Sequence, residues 1–220
     1  MDETLPLFPI GTVLFPGMLM PLHIFEPRYR LMLKRAVQGG TPFGVVLIKS
    51  GTEVGGLAEP HRVGTTARVV GATPLGDGRS FIVCQGERRF EIASVDAERE
   101  PYLVGSVRYL EDDLGHDAEH LADVAADAFG QYLTGILSTT NDPRSDLASL
   151  DQLREGTPAD VSWRIAGGLG IDALERPRLL EADRAATRLE SELGLLAREN
   201  TLLKELLLRL HVSGDGPPLN

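Results

Sequence analysis

The apolar residues change their spacing once along this chain, and that change limits the fold more than any other feature. Up to about Leu110 they come in short runs. Thr12-Val13-Leu14-Phe15, Met18 to Ile24 and Phe43 to Ile48 are separated by Pro-Gly and Gly-Gly breaks. Thr65 to Val70, Ser80 to Cys84, Arg89 to Ala93 and Tyr102 to Leu110 continue the series. Short apolar runs between turn residues read as strands. Gly76-Asp77-Gly78 predicts a hairpin, since glycines there are free to take positive φ, and Gly86-Glu87 predicts a second turn. One helix interrupts the series: Pro27 suits a first helical turn, and Tyr29, Met32, Leu33 and Ala36 follow at helical spacing. Seven short strands and one helix predict a small, strongly curved sheet or semi-barrel.

Beyond Glu111 the period becomes helical. Asp117 opens a segment whose broad apolar face takes Leu121, Val124, Ala125, Ala128, Phe129, Tyr132 and Ile136. Asp142-Pro143 and Thr157-Pro158 each place a capping residue before a proline and predict two further helix starts. A last helix is expected from near Pro177 to about His211, stopped by the Gly-Pro-rich, disordered tail. The expected fold class is α+β, with a β-rich domain over 1–112 and a helical bundle over 113–220.

Leu189, Leu193, Leu196, Asn200, Leu203, Leu207 and Leu210 alternate spacings of four and three residues, the repeat of a coiled-coil seam. Asn200 then falls at a core position, where a buried amide fixes register in a parallel dimer. A homodimer through this helix is one expectation. Packing of the same seam on the chain's own helices is the other, because Leu195, Leu202 and Leu206 broaden the stripe.

Charge and composition exclude several classes. Residues 1–110 carry 12 basic and 11 acidic side chains, whereas 111–220 carry 10 and 21. With a net charge of −10 and a pI near 5.0, a basic nucleic-acid surface is not expected. No window approaches the 18 or so apolar residues of a membrane span. The acidic start Met1-Asp2-Glu3 lacks the features of a signal peptide, so the expected location is cytoplasmic. Cys84 is the sole cysteine, which precludes an internal disulfide.

The N-terminal part carries Leu5-Pro6-Leu7-Phe8-Pro9, Val13-Leu14-Phe15-Pro16-Gly17 and Pro21-Leu22-His23-Ile24-Phe25-Glu26-Pro27-Arg28-Tyr29-Arg30. That pattern resembles the N-terminal domain of Lon proteases. Phe43-Gly44-Val45, Val63-Gly64-Thr65, Asp77-Gly78-Arg79 and Gly86-Glu87-Arg88-Arg89-Phe90 follow in the family's order. Trp163-Arg164-Ile165-Ala166, Arg178-Leu179-Leu180-Glu181 and Arg188-Leu189 resemble the helical part of the same domain, so the match covers about residues 4 to 205.

The resemblance implies a PUA-like β pseudo-barrel, then a helical bundle ending in a long C-terminal helix. It also implies recognition of unfolded or tagged protein segments, in the manner of an adaptor or chaperone working with a protease. The sequence has no Gly-x-x-x-x-Gly-Lys-Ser/Thr loop, and Lys34, Lys49 and Lys204 offer no serine–lysine dyad. A free-standing, non-enzymatic substrate-binding domain is therefore expected, with no cofactor, no metal and no catalytic residue. RNA binding by the PUA-like barrel is the alternative.

The residues expected to touch a partner are Met18, Met20, Phe25, Glu26, Pro27 and Arg28. The two methionines lie beside a Pro-Gly turn and suit varied apolar partners. The match to Lon's loop-to-helix turn implies substrate contact at Phe25 to Arg28, with Glu26 and Arg28 setting orientation. His116 and His120 would share one helix face, yet Asp117 stands where a zincin needs Glu. Asp112, Asp113, Asp117, Asp123 and Asp127 fit no EF-hand spacing and read as a solvated face. Cys84 reads as a small buried hydrophobe.

Overall fold

A computed structural model describes residues 3–56, 58–140 and 152–214. In chain order its elements are β1 (Glu3–Ile10), β2 (Leu19–Ile24), α1 (Pro27–Gly39), β3 (Phe43–Ser50), β4 (Glu59–Pro74), β5 (Ser80–Asp96) and β6 (Val104–Tyr109). There follow α2 (Ala118–Thr140), a 3-10 turn (Gln152–Arg154), α3 (Pro158–Gly168), α4 (Glu175–Glu181) and α5 (Ala185–Gly214). They group into two compact units. One is Met1–Asp112 with Ile171–Asp183, the other Asp113–Gly170 with Arg184–Asn220. Segment 171–183, assigned by sequence to the helical half, clusters with the sheet instead.

In the first unit six strands run in the order β2-β5-β4-β3-β1-β6, and β6 also pairs with β5. The 17-residue β5 makes that closure possible: its first half pairs with β2 and its second with β6. Bulges in the β4–β5 ladder, at Thr65/Ala67 and Val69/Gly71, provide the bend that a closing sheet requires. The parallel pair of β1 with β3 needs a long crossover, and the 11–42 segment with β2 and α1 supplies it. Pro27 opens α1, which buries Tyr29, Met32, Leu33 and Ala36 as its spacing predicts. Phe8 packs edge-on to Tyr29 at 4.5 Å and to Phe43 at 6.1 Å, within a core that includes Met20, Ile24 and Ile82.

Two expectations about strands are corrected. The run Thr12 to Phe15 is not a strand, although Val13, Leu14 and Phe15 are fully buried; β1 precedes it. Gly86-Glu87 is not a turn, because β5 passes straight through it. Gly86 serves close approach. Its amide donates to the Met18 carbonyl and its carbonyl accepts from the Gly17 amide, each at 2.9 Å. A Cβ there would stand 2.3 Å from the Phe15 oxygen. Two expected strands thus fuse into β5, and six strands replace seven. The Gly76-Asp77-Gly78 hairpin forms as expected, with Gly78 at φ +82°.

Arg89 explains why α4 belongs with the sheet. Its side chain is buried in β5 and donates to the carbonyls of Leu180 (2.8 Å) and Ala182 (2.7 Å) and to Asp112 (2.5 Å). A buried cation held by three oxygens fixes the chain beyond α4, since an unpaired one would be costly. This also splits the expected single C-terminal helix into α4 and α5, with a break at 182–184.

In the second unit α2 packs on α3 and α5 through Ala125, Phe129, Tyr132, Trp163, Ile165, Leu189 and Leu196. Val124, expected on the apolar face, is exposed. The Thr157 capping box forms: its hydroxyl accepts from the Asp160 amide, and the Asp160 carboxylate accepts from the Thr157 amide. The helix expected at Asp142-Pro143 lies outside the described residues. Within the core the Arg188 guanidinium lies 3.3 Å from the centre of the Trp163 ring and donates to Ser162 Oγ at 2.6 Å. Ser162 in turn donates to Glu192 Oε1 at 2.9 Å. Burial raises the Glu192 carboxyl well above its ordinary range, against the opposing pull of Ser162 and Arg188.

The heptad seam meets α2 of the same chain. Leu189 and Leu196 are fully buried, Leu193, Leu203 and Leu207 half-buried, and the Leu210 side chain lies outside the described residues. The Asn200 amide donates to the Ala128 carbonyl at 3.0 Å. The amide expected to pair across a dimer thus has a partner within its own chain.

Candidate protein-binding face

Alternation along β2 separates core from surface. Met20 and Ile24 point into the barrel, and Leu22 packs partly buried against the same cluster. Leu19, Pro21 and His23 point outward, and Phe25 follows them exposed. Across the ladder, His23 stands opposite Phe81 and Pro21 opposite Val83, so these side chains share one outer face. The His23 ring stacks on Phe81 at 4.6 Å with 25° between planes, and its centre is 5.5 Å from that of Phe25. Exposure is 58% for Leu19, 42% for Phe25, 53% for Phe81 and 37% for Val83. Scattered exposed apolar residues are ordinary, whereas a contiguous group of this kind makes the face a candidate for contact with a partner.

The edge of β2 is less receptive than its face. The Gly86–Met18 hydrogen bond makes Leu19–Gln85 a non-hydrogen-bonded pair, and alternation gives Pro21–Val83 the same status. The amide that Pro21 lacks therefore falls on the side of β2 away from β5, where proline blunts strand-to-strand pairing. What this part of the barrel offers a partner is side chains.

The six expected contact residues divide. Met20, 5% exposed, belongs to the core and is corrected accordingly: it has the opposite parity to Leu19. Met18 is half-buried; Arg176 from α4 reaches its sulfur at 4.0 Å and lies 5.1 Å from the Phe15 ring centre. Phe25 is exposed on the face described, and Pro27 is exposed at the start of α1. Glu26 and Arg28 are engaged with their own chain. The two side chains pair at 3.0 Å, Arg28 donates to the Gly56 carbonyl at 2.9 Å, and Glu26 accepts from the Gly55 amide at 3.2 Å. Together they hold the 51–56 loop against the turn that presents Phe25.

The other residues singled out in the sequence have the following surroundings. Cys84 is fully buried, its thiol donates to the Met20 carbonyl at 3.5 Å, and burial pushes its pKa up to about 11. His116 is exposed and 2.8 Å from Asp117. Asp113 pairs with Arg184, and Asp123 and Asp127 both pair with Arg154. Outer arginines of the sheet are paired similarly: Arg62 and Arg108 share Glu91, Arg68 pairs with Glu87, and Arg88 with Glu111. Among the described residues no helix is long and apolar enough to cross a membrane.

Sequence reasoning missed Leu19, Pro21, His23, Phe81 and Val83. Their signal was the strict alternation of Leu19 to Phe25, read together with that of Phe81 to Gln85.

Comparison with known proteins agrees with this architecture. A family model of the substrate-binding domain of the ATP-dependent protease La (Lon) matches residues 4–198. The Lon protease of Methylocella silvestris is 32% identical over 201 residues, covering 88% of this chain and 24% of that protein. That of Anaeromyxobacter dehalogenans is 28% identical over 205 residues, 91% of this chain and 24% of its own length. This chain thus spans about a quarter of these relatives. The crystal structure of a Lon N-terminal domain protein from Xanthomonas campestris superposes with a TM-score of 0.63 at 29% identity, covering 87% of this chain and 98% of that one. The N-terminal domain of a Mycobacterium avium complex Lon protease shares the fold, with a TM-score of 0.69 at 16% identity over 89% of this chain and 98% of its own. With that family model matching residues 4–198 of its 220, this chain belongs to the Lon substrate-binding domain family.

Proposed function

We propose that this chain is a non-catalytic recognition module that captures exposed apolar segments of other proteins on the outer β2–β5 face. The observation that carries the reading is the contiguous exposed group of Leu19, His23, Phe25, Phe81 and Val83, backed by a rigid barrel. A flat, side-chain-bearing face with an aromatic stack suits sequence-tolerant contact, because apolar burial is non-directional. Its partners in this reading are unfolded or tagged protein segments, and delivery to a protease or holding as a chaperone is the cellular role it would serve. Membership of the Lon substrate-binding family supports it.

RNA binding finds less support. The sheet's outer arginines are paired with glutamates, and phosphate contact needs clustered unpaired cations.

The test is capture of a permanently unfolded, carboxymethylated protein by the 220-residue chain, compared with Phe81→Ser/Val83→Ser. The double variant should lose capture at least tenfold with an unchanged melting temperature, and added salt should barely alter wild-type binding. Undiminished capture, or binding that collapses with salt, would overturn the reading.

A further inference from the structure

A second surface of the first unit lies between α1 and the β4–β5 hairpin. It is an open groove of about 660 Å³, within the range of about 300–1,000 Å³ that ligand-binding clefts occupy. Its walls are apolar, from Leu31 and Val37 on one side and Ala72 and Pro74 on the other. No acidic residue lines it. Two cations do, Arg30 and Lys34, one helical turn apart on the same face of α1.

These cations differ from the paired arginines of the sheet. Neither forms an ion pair with an acidic side chain among the described residues, and Asp77, next to Gly78 at the hairpin tip, pairs with Arg79 at 2.6 Å. The hairpin tip is shaped around Arg30. Gly78 lies so close that a Cβ on it would stand 1.9 Å from the guanidinium, and φ +82° at the same residue independently favours glycine. The Arg30 side chain is thus laid over the mouth of an apolar cleft beside a second positive charge. Val37, 54% exposed, extends the apolar floor one turn further.

We infer that this groove binds an acidic–apolar peptide segment, one that buries an apolar side chain between α1 and β4 while its carboxylates meet Arg30 and Lys34. The occupant follows from complementarity: apolar walls call for an apolar anchor, and two cations with no acidic residue in the lining call for negative charge. The inference stands apart from the β2–β5 face, shares none of its exposed apolar residues, and does not depend on the function proposed for it.

The test uses the full chain and a fluorescein-labelled nonapeptide carrying two leucines and two aspartates, read by anisotropy. Wild type should bind it, with affinity falling as salt is raised. Arg30→Ala/Lys34→Ala, both on the exposed side of α1, should weaken binding at least tenfold without changing the melting temperature. The peptide with asparagines for aspartates should lose a similar factor against wild type. Val37→Asp should weaken both peptides, and Phe81→Ser neither. Absence of binding, equal binding of the asparagine peptide, or full binding by the Arg30/Lys34 variant would overturn the inference. So would concentration-dependent self-association abolished by Arg30→Ala/Lys34→Ala, which would assign the groove to a second copy of this chain.

Discussion

Adjacent residues of β2 should fail in opposite ways when truncated. Leu19 points outward and Met20 inward, although both are large apolar side chains in the same strand. Removing Met20 from the core that holds Ile24, Tyr29 and Ile82 leaves a cavity. Met20→Ala should therefore destabilise the chain by about 2–5 kcal/mol, which lowers the melting temperature on the order of 5–15 °C. Leu19→Ala should cost stability no more than about 0.5 kcal/mol, as surface substitutions do. Its effect belongs to binding. Full burial of a leucine is worth about 1.5–3 kcal/mol, and the 58% of Leu19 left exposed scales that to about 1–1.7 kcal/mol. That corresponds to a loss of about five- to twentyfold in affinity for an unfolded protein. Thermal melts and titration of a labelled carboxymethylated substrate measure both quantities on one preparation. A Met20→Ala chain that melts like wild type, or a Leu19→Ala chain that binds like wild type, would refute this division of β2 into inner and outer faces.

Gly86→Ala should destabilise by about 2 kcal/mol or more, because the new methyl meets the Phe15 oxygen, a backbone atom that cannot swing aside; chemical denaturation measures it. Asn200→Leu removes a hydrogen bond to Ala128 and should cost about 1 kcal/mol. Light scattering should find both it and wild type at 23.8 kDa, and a stable wild-type dimer would restore the interchain reading of the seam. Glu192 concerns pH. Its folded pKa is raised by burial above the unfolded carboxylate's value of about 4.3. The folded state then holds a proton that the unfolded state has released, so this group's contribution is complete below that value and declines as pH rises towards the folded pKa. Denaturation from pH 4 to 8 should show Glu192→Gln gaining on wild type as pH rises, and a constant difference would contradict this.

The parts of the fold written in local spacing were legible. The helix from Pro27, the Gly76-Asp77-Gly78 hairpin, the Thr157 cap and the change from strands to helices depend on neighbours within a few residues. What was not legible depends on contacts made far along the chain. Thr12 to Phe15 is apolar because it is buried, yet it forms no strand of its own. Gly86 resembles a turn glycine until the Phe15 backbone is found against it. The return of α4 to the sheet hangs on Arg89 meeting carbonyls some 90 positions away, and nothing in either segment alone marks that pair.

The candidate face was half legible for a similar reason. The 18–28 segment drew attention through its methionines and its turn, and Phe25 does lie on the face. Met20 was placed there against its parity. Phe81 and Val83 escaped notice because only the β2–β5 register brings them beside His23 and Pro21. Glu26 and Arg28 looked like free charges, but a second loop, 51–56, uses them.

Binding is proposed on the outer face of β2 and β5. Photo-crosslinking measures this directly, with a benzophenone amino acid placed singly at Val83, at Val37 and at Arg108. Incubated with a labelled unfolded protein and irradiated, the chain carrying the probe at position 83 should give the dominant adduct, reduced by Leu19→Ser. The probe at position 108, on β6, should give little. Equal labelling from all three positions, or adducts from 108 alone, would contradict the account.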